Sequence, residues 1–327
     1  GCKVKMLEIT IASTVALVTS EIMHRTTLPR YVRRGLLSED VHKVERPRIP
    51  EPLGPAVYIP FLISSLTFFS LTGEGGVIAV ASSSGLAFLI GLLDDISPLG
   101  PRTKPFLLML PALVLIATYQ ITPRPLLPIL GTARLYYIYW IVILALFTVF
   151  SNAVNMMDSL NGMMPISVYA STIPLIPVLV SNRGALASLL ILYSSLLPYC
   201  LRNRYPARVF GGDSNSLFVG SALASISVIS NTEAFFCIAL IPFLVSGFSV
   251  IASVGGLRER RQIASRPVIV REGMIRANPD PKAPISLIAI ITSDRWKGEN
   301  EIVKEAALLS LLSGVLSSLT FFLLTPR

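Results

Sequence analysis

The chain has 327 residues, 52% of them hydrophobic and only 14% charged, with a net charge of +9. Together with a mean hydropathy of +0.66, this excludes an ordinary soluble domain, which carries about 25% charged residues, and indicates a polytopic membrane protein. The far-separated Cys2, Cys200 and Cys237 show no metal-type spacing, His24 and His42 are the only histidines, and no basic run interleaved with aromatics marks a nucleic-acid surface.

A hydrocarbon core of about 30 Å needs about 20 apolar residues per helix. Ten spans are expected, near 6–23, 53–72, 76–93, 105–121, 135–151, 163–181, 184–200, 215–230, 234–257 and 303–325. The ninth contains Pro242 and Gly247, so a bend is expected there. With the N-terminus outside, the inner loops 24–52, 94–104, 201–214 and 258–302 hold 21 of the 28 Lys and Arg residues. That asymmetry favours an N-out, C-out all-α protein, and it accounts for the basic charge without nucleic acid. The expected unit is a single integral membrane domain with loops 24–52, 94–104, 152–162, 201–214 and 258–302 on the cytoplasmic face.

In chain order, the polar sequence gathers on that face. The third span ends in "GLLDDISPLGPRTK". Asp94 and Asp95 there sit against the negative end of a helix dipole and call for a cation, unless the pair is a solvated helix end. The fifth span ends in "NAVNMMDSLNG". If the helix continues, Asn152, Asn155 and Asp158 form a stripe whose oxygens suit a hard cation; the alternative is a helix end wetted by headgroups. In "VFGGDSNSLFVG" a Gly turn delivers Asp213 to a helix start, as a ligand or as a plain N-cap. The last inner loop contains "RPVIVREGMIRANPDPKAP", expected as a short β-hairpin turning at Gly273 and then a stiff extended segment. Carboxylates at span ends rather than mid-span argue for chemistry on a soluble substrate at the membrane surface, and against a transporter of sugar nucleotide or lipid-linked sugar. Carboxylates and Asn with nearby Lys and Arg are what Mg²⁺-assisted phosphoryl transfer requires.

Taken together, "KVERPRIPEPLG", "LLDDI", "NAVNMMDSLNG" and "VFGGDSNS" resemble the polyprenyl-phosphate N-acetylhexosamine-1-phosphate transferases, most closely the archaeal and eukaryotic branch that uses UDP-GlcNAc and dolichyl phosphate. The resemblance implies Asn155 and Asp213 as Mg²⁺ ligands, with Mn²⁺ as the substitute. It implies Asp94, Asp95, Lys104 and Asp158 as catalytic residues. Lys43, Glu51, Asn152, Asn161 and Gly162 are expected to bind substrate, and so, where the chain departs from the family, are Arg276 and Lys282. The implied partners are a UDP-N-acetylhexosamine, a polyprenyl or dolichyl phosphate, membrane lipids and a second copy in a homodimer, in the cell membrane with the site cytoplasmic. One departure stands out. The family often carries a His motif in the last inner loop, and 258–302 has no histidine. Arg271, Arg276 or Lys282 would supply the charge there, and the sugar is left open. The dense Asp-Gly…Ala-Arg…Gly…Asp…Asp pattern on adjoining helices that the CDP-alcohol phosphotransferases need is not present.

Overall fold

The protein is described by a computed structural model covering residues 6–43, 45–256 and 265–325. Apolar segments that cannot satisfy their backbone from lipid must bond internally, so the chain is mostly helical. In order, the elements are α1 Met6–Arg34, β1 Leu37–Glu39, β2 Arg48–Pro50, α2 Pro55–Thr72, α3 Gly75–Ile96, α4 Thr103–Leu107, α5 Leu110–Thr118, β3 Leu126–Leu127, β4 Gly131–Thr132, α6 Ile138–Met157 and α7 Met163–Thr172. After a 3₁₀ turn at Ile173–Leu175 come α8 Ile176–Leu179, α9 Arg183–Asn203, α10 Gly212–Ile229, α11 Glu233–Ala239, α12 Ile241–Ser253, β5 Val268–Arg271, β6 Met274–Ala277, α13 Leu287–Ile291, β7 Lys297–Gly298 and α14 Glu299–Leu324.

The ten expected apolar segments all fall on helix. Among the described residues six helices are long and apolar enough to cross a membrane, and the bent pair α11 and α12 makes a seventh. The shorter apolar stretches 103–118 and 163–179 are helical too. The first span extends beyond 23 to Arg34, so the loop expected at 24–52 begins only after that helix. The bend in the ninth span is 75° and falls between α11 and α12. Pro242 stands in the first turn of α12, where its missing N–H costs nothing, and Gly247 lies within that helix away from the bend.

At the centre is α10, in which every residue from Ser214 to Ile229 is buried. Its serines do not face lipid: Ser225 and Ser227 donate to the carbonyls of Ser221 and Ala224 within the helix. Small residues let the neighbouring backbones come very close. A Cβ on Gly91 of α3 would lie 2.5 Å from the carbonyl oxygen of Asp213, and one on Gly220 would lie 2.5 Å from Cα of Ser151 in α6. Glycine at these two places therefore clamps α3 and α6 onto α10. By contrast α1 and α14 lie at the periphery with little of their surface covered.

The polar loops meet at one end of the bundle. β1 and β2 form an antiparallel hairpin. The following residues zip onto the segment before α10, with Leu53 N–H donating to the Phe210 carbonyl and Gly54 N–H to that of Gly211. The β5–β6 hairpin turns at Glu272 and Gly273 with φ of 50° and 77°, as expected for "REG". β7 joins it as a third strand and ties it to the start of α14. The expected extended segment after it is instead a turn, closed by Ala283 N–H on the Asp280 carbonyl. Residues 258–264 of the expected last inner loop, and Leu257 at the end of the expected ninth span, lie outside the described residues.

Candidate active site

The two adjacent aspartates at the end of α3 do different things. Asp94 accepts from Lys104 Nζ at 2.9 Å and from the Leu99 N–H. Asp95 turns the other way and accepts from the backbone N–H groups of Asp213 at 2.7 Å and Ser214 at 3.0 Å. These are orphan donors in the first turn of α10, so Asp95 caps a helix far away in sequence. Gly212, at φ 72°, permits this approach: a Cβ there would sit 2.7 Å from both Asp95 carboxylate oxygens.

With its N–H capped by Asp95, Asp213 has its carboxylate free for other partners and is not itself an N-cap. One oxygen pairs with Lys104 Nζ; the other accepts from Asn155 Nδ2 at 2.7 Å. Asn155 also donates to Ser216 Oγ at 2.8 Å, one turn along α10. The ammonium of Lys104 thus stands between Asp94 and Asp213, with its side chain only 15% exposed. Its helix α4 is held in place by Thr148 of α6, whose hydroxyl donates to the Pro105 carbonyl.

The other expected site residues are placed as follows. Asn152 spends its amide on the Thr148 carbonyl one turn back. The Asn152–Asn155–Asp158 stripe is cut short, because α6 ends at Met157 and Asp158 leaves helical geometry at ψ 53°. Asp158 still lies near the centre electrostatically: burial first, then the charges of Glu51 and Asp213, push its carboxyl up to about 7. Burial likewise raises Glu51, and Asp95 and Asp213 add to the effect. Lys43 is engaged by Glu299 and lies 3.8 Å from Asp40, with its ammonium 4.0 Å from the Tyr205 ring centre. Asn161 donates its N–H to Glu299 at 2.7 Å and its amide to Asp40 at 3.0 Å. Gly162, at φ 79°, donates its N–H to Asn203. Arg276 and Lys282 are exposed and make no ion pair with Asp94 or Asp213.

Asp40, Asn203, Ser216 and Glu299 were not singled out from the sequence. Ser216 lies inside the quoted "VFGGDSNS", and Glu299 is an acidic residue just before an apolar span in "GENEIVKEAALL".

Among the described residues no three Asp, Glu, His or Cys side chains form a group able to hold a metal. Mg²⁺ does not need such a cage, since it keeps several waters and commonly takes one or two carboxylates plus substrate phosphates. Asp213 and Asn155, in direct contact, fit that demand by donor type.

Residues 77–231 match the sequence profile of glycosyl transferase family 4. The match takes in a little under half of the chain. Within it lie Asp94, Asp95, Lys104, Asn155, Asp158, Asn161 and Asp213; the β5–β6–β7 sheet lies beyond it. A protein of Sulfolobus acidocaldarius, provisionally named a UDP-N-acetylglucosamine–dolichyl-phosphate N-acetylglucosaminephosphotransferase, is 28% identical over 238 residues, 69% of this chain and 72% of the relative. One of Saccharolobus solfataricus with the same provisional name is 28% identical over 218 residues, 64% of this chain and 67% of the relative. The phospho-N-acetylmuramoyl-pentapeptide-transferase of Thermotoga neapolitana is 33% identical over 198 residues, 57% of this chain and 63% of the relative. With its apolar helices and its likeness to these transferases, this chain is a multi-pass membrane protein of the transferase class.

Proposed function

We propose that the protein transfers an N-acetylhexosamine-1-phosphate, GlcNAc-1-phosphate in the first instance, from a UDP-sugar to a polyprenyl or dolichyl phosphate at the cytoplasmic face of the cell membrane, releasing UMP. The observation that carries this reading is the Lys104 ammonium held between Asp94 and Asp213, with Asn155 on the same Asp213.

In the proposed reaction an oxygen of the acceptor phosphate bonds to the β-phosphorus of the donor. The bond from that phosphorus to the bridging oxygen breaks, and UMP leaves with the electron pair. A phosphomonoester has a second pKa of about 6, so the acceptor is largely a dianion near neutral pH and needs no strong base. The barrier is the meeting of two anions, and fixed positive charge lowers it. Lys104 places one positive charge there, oriented by Asp94 and Asp213, and because those two carboxylates outweigh it the surplus would have to come from Mg²⁺. Asp95, by capping α10, fixes where Asp213 and Asn155 stand. Asp213 and Asn155 would hold Mg²⁺, which when bound screens phosphate charge. A covalent phospho-aspartate route would instead use one of these carboxylates as nucleophile.

Support for the lipid side comes from a groove of about 300 Å³ at the kink, lined by Ile241, Pro242, Val245, Leu287, Leu309 and Leu312. An apolar tail fits such a wall. The test is a donor screen on purified protein with Mg²⁺ and a short polyprenyl phosphate, reading UMP. Release with UDP-GlcNAc, lost in Asp213→Asn at preserved thermal stability, is the expected result. Uptake of donor into proteoliposomes without UMP would show a carrier and overturn the reading.

A further inference from the structure

The groove between α1 and α9 has no part in the chemistry above. It encloses about 400 Å³ and is walled by Leu17, Val18, Ile22, Pro198 and Leu201, with Glu21 and Arg25 at its polar end. Glu21 accepts from Arg202 through both of its oxygens, at 2.7 and 2.8 Å, and from Arg25 Nε at 2.6 Å. Two guanidiniums share one carboxylate, so the cluster keeps a surplus positive charge. Arg25 has a side chain 75% exposed, and among the described residues nothing accepts from its terminal Nη groups.

Depth decides what can meet that charge. Met6 to Arg25 along α1, and Arg183 to Arg202 along α9, each rise about 29 Å at 1.5 Å per residue, close to the thickness of the hydrocarbon core, about 30 Å. Both helices therefore bring their arginines to the headgroup layer on the side of the active site, directly below an apolar wall. That is the pattern of a lipid with one chain along the helices and an anionic head at Arg25. A two-fold contact between copies through this groove would instead bring like charge against like charge. The acceptor's phosphate has its own cation, Lys104, on α4, and an apolar groove on α12, α13 and α14.

We propose that the groove between α1 and α9 is a binding site for a bilayer phospholipid with an anionic phosphodiester head, held by Arg25, while Arg202, spent on Glu21 and the Pro198 carbonyl, neutralises that carboxylate beside it. The probe is dioleoyl phosphatidylglycerol against dioleoyl phosphatidylcholine, titrated onto the purified full chain and read by native mass spectrometry. The wild-type protein should retain the anionic lipid about fivefold better, the fold-change equivalent to about 1 kcal/mol for one surface arginine. Arg25→Gln should bring that ratio near one, and Ile22→Trp, which fills the groove, should lower retention of both lipids. Thermal stability of each variant should stay at the wild-type value. Equal retention by the wild type, or a ratio unchanged in Arg25→Gln, overturns the proposal. So does displacement of phosphatidylglycerol from the groove by a short polyprenyl phosphate, which would make it an acceptor site. Conversion of a dimer to a monomer by Ile22→Trp would make it a contact between copies and overturn it equally.

Discussion

Asp95→Ala separates the two aspartates of "LLDDI" most sharply. The change removes both acceptors from the Asp213 and Ser214 N–H groups at the start of α10, a helix buried from Ser214 to Ile229. A hydrogen bond to a charged group contributes about 1.5–3 kcal/mol, and losing a helix cap costs about 0.5–2 kcal/mol. Since the two bonds make up one cap, the expected loss is about 2–3 kcal/mol. At about 2–4 °C per kcal/mol for a chain of a few hundred residues, the melting temperature should fall by about 4–12 °C. Asp95→Asn keeps one acceptor oxygen and should lose about half as much. Asp94→Asn leaves Lys104 paired with Asp213, so its melting temperature should move least while UMP release falls. The assay is thermal unfolding of detergent-purified protein beside UMP release. A larger drop in melting temperature for Asp94→Asn than for Asp95→Ala would refute the division of roles.

Lys104→Met should reduce turnover about 10²–10³-fold, the cost of losing a preorganised charge-stabilising group, and Lys104→Arg should not restore it, because a planar fork does not replace a compact ammonium between Asp94 and Asp213. Gly91→Ala should fail to fold or melt far below wild type, since its Cβ would meet the Asp213 backbone at 2.5 Å, whereas Gly75→Ala, with nothing within 4 Å, should be silent. Asp158, raised from 3.8 to about 7, holds its proton in the folded chain after the unfolded chain has lost it. Stability from this group is complete at low pH and falls as pH rises from about 4 to about 7, so Asp158→Asn should flatten that slope in a pH series of melting temperatures. Chelation should abolish UMP release and Mg²⁺ should restore it, with Asn155→Ala shifting the Mg²⁺ needed upward.

Much of this site could be read from residue order. The apolar runs locate the helices, and the asparagines and aspartates at their ends mark one functional end, because uncompensated polar groups are costly inside a bilayer. Partner choice was not legible. Nothing in the order "DD" tells that Asp94 faces an ammonium while Asp95 caps a helix 118 residues away. The resemblance implies Lys43 as a substrate-binding residue, and nothing in residue order tells that Glu299, 256 residues on, engages it. The stripe through Asp158 failed because the helix stopped one residue sooner, a matter of local backbone geometry that periodicity does not contain.

By itself the sequence determined the class of protein and the chemical types gathered at one end of it, since hydropathy and charge act locally and add along the chain. Only the tertiary structure decided which oxygen meets which nitrogen. That depends on how closely α3 and α6 approach α10 at Gly91 and Gly220, and hydrogen bonding falls off over fractions of an ångström.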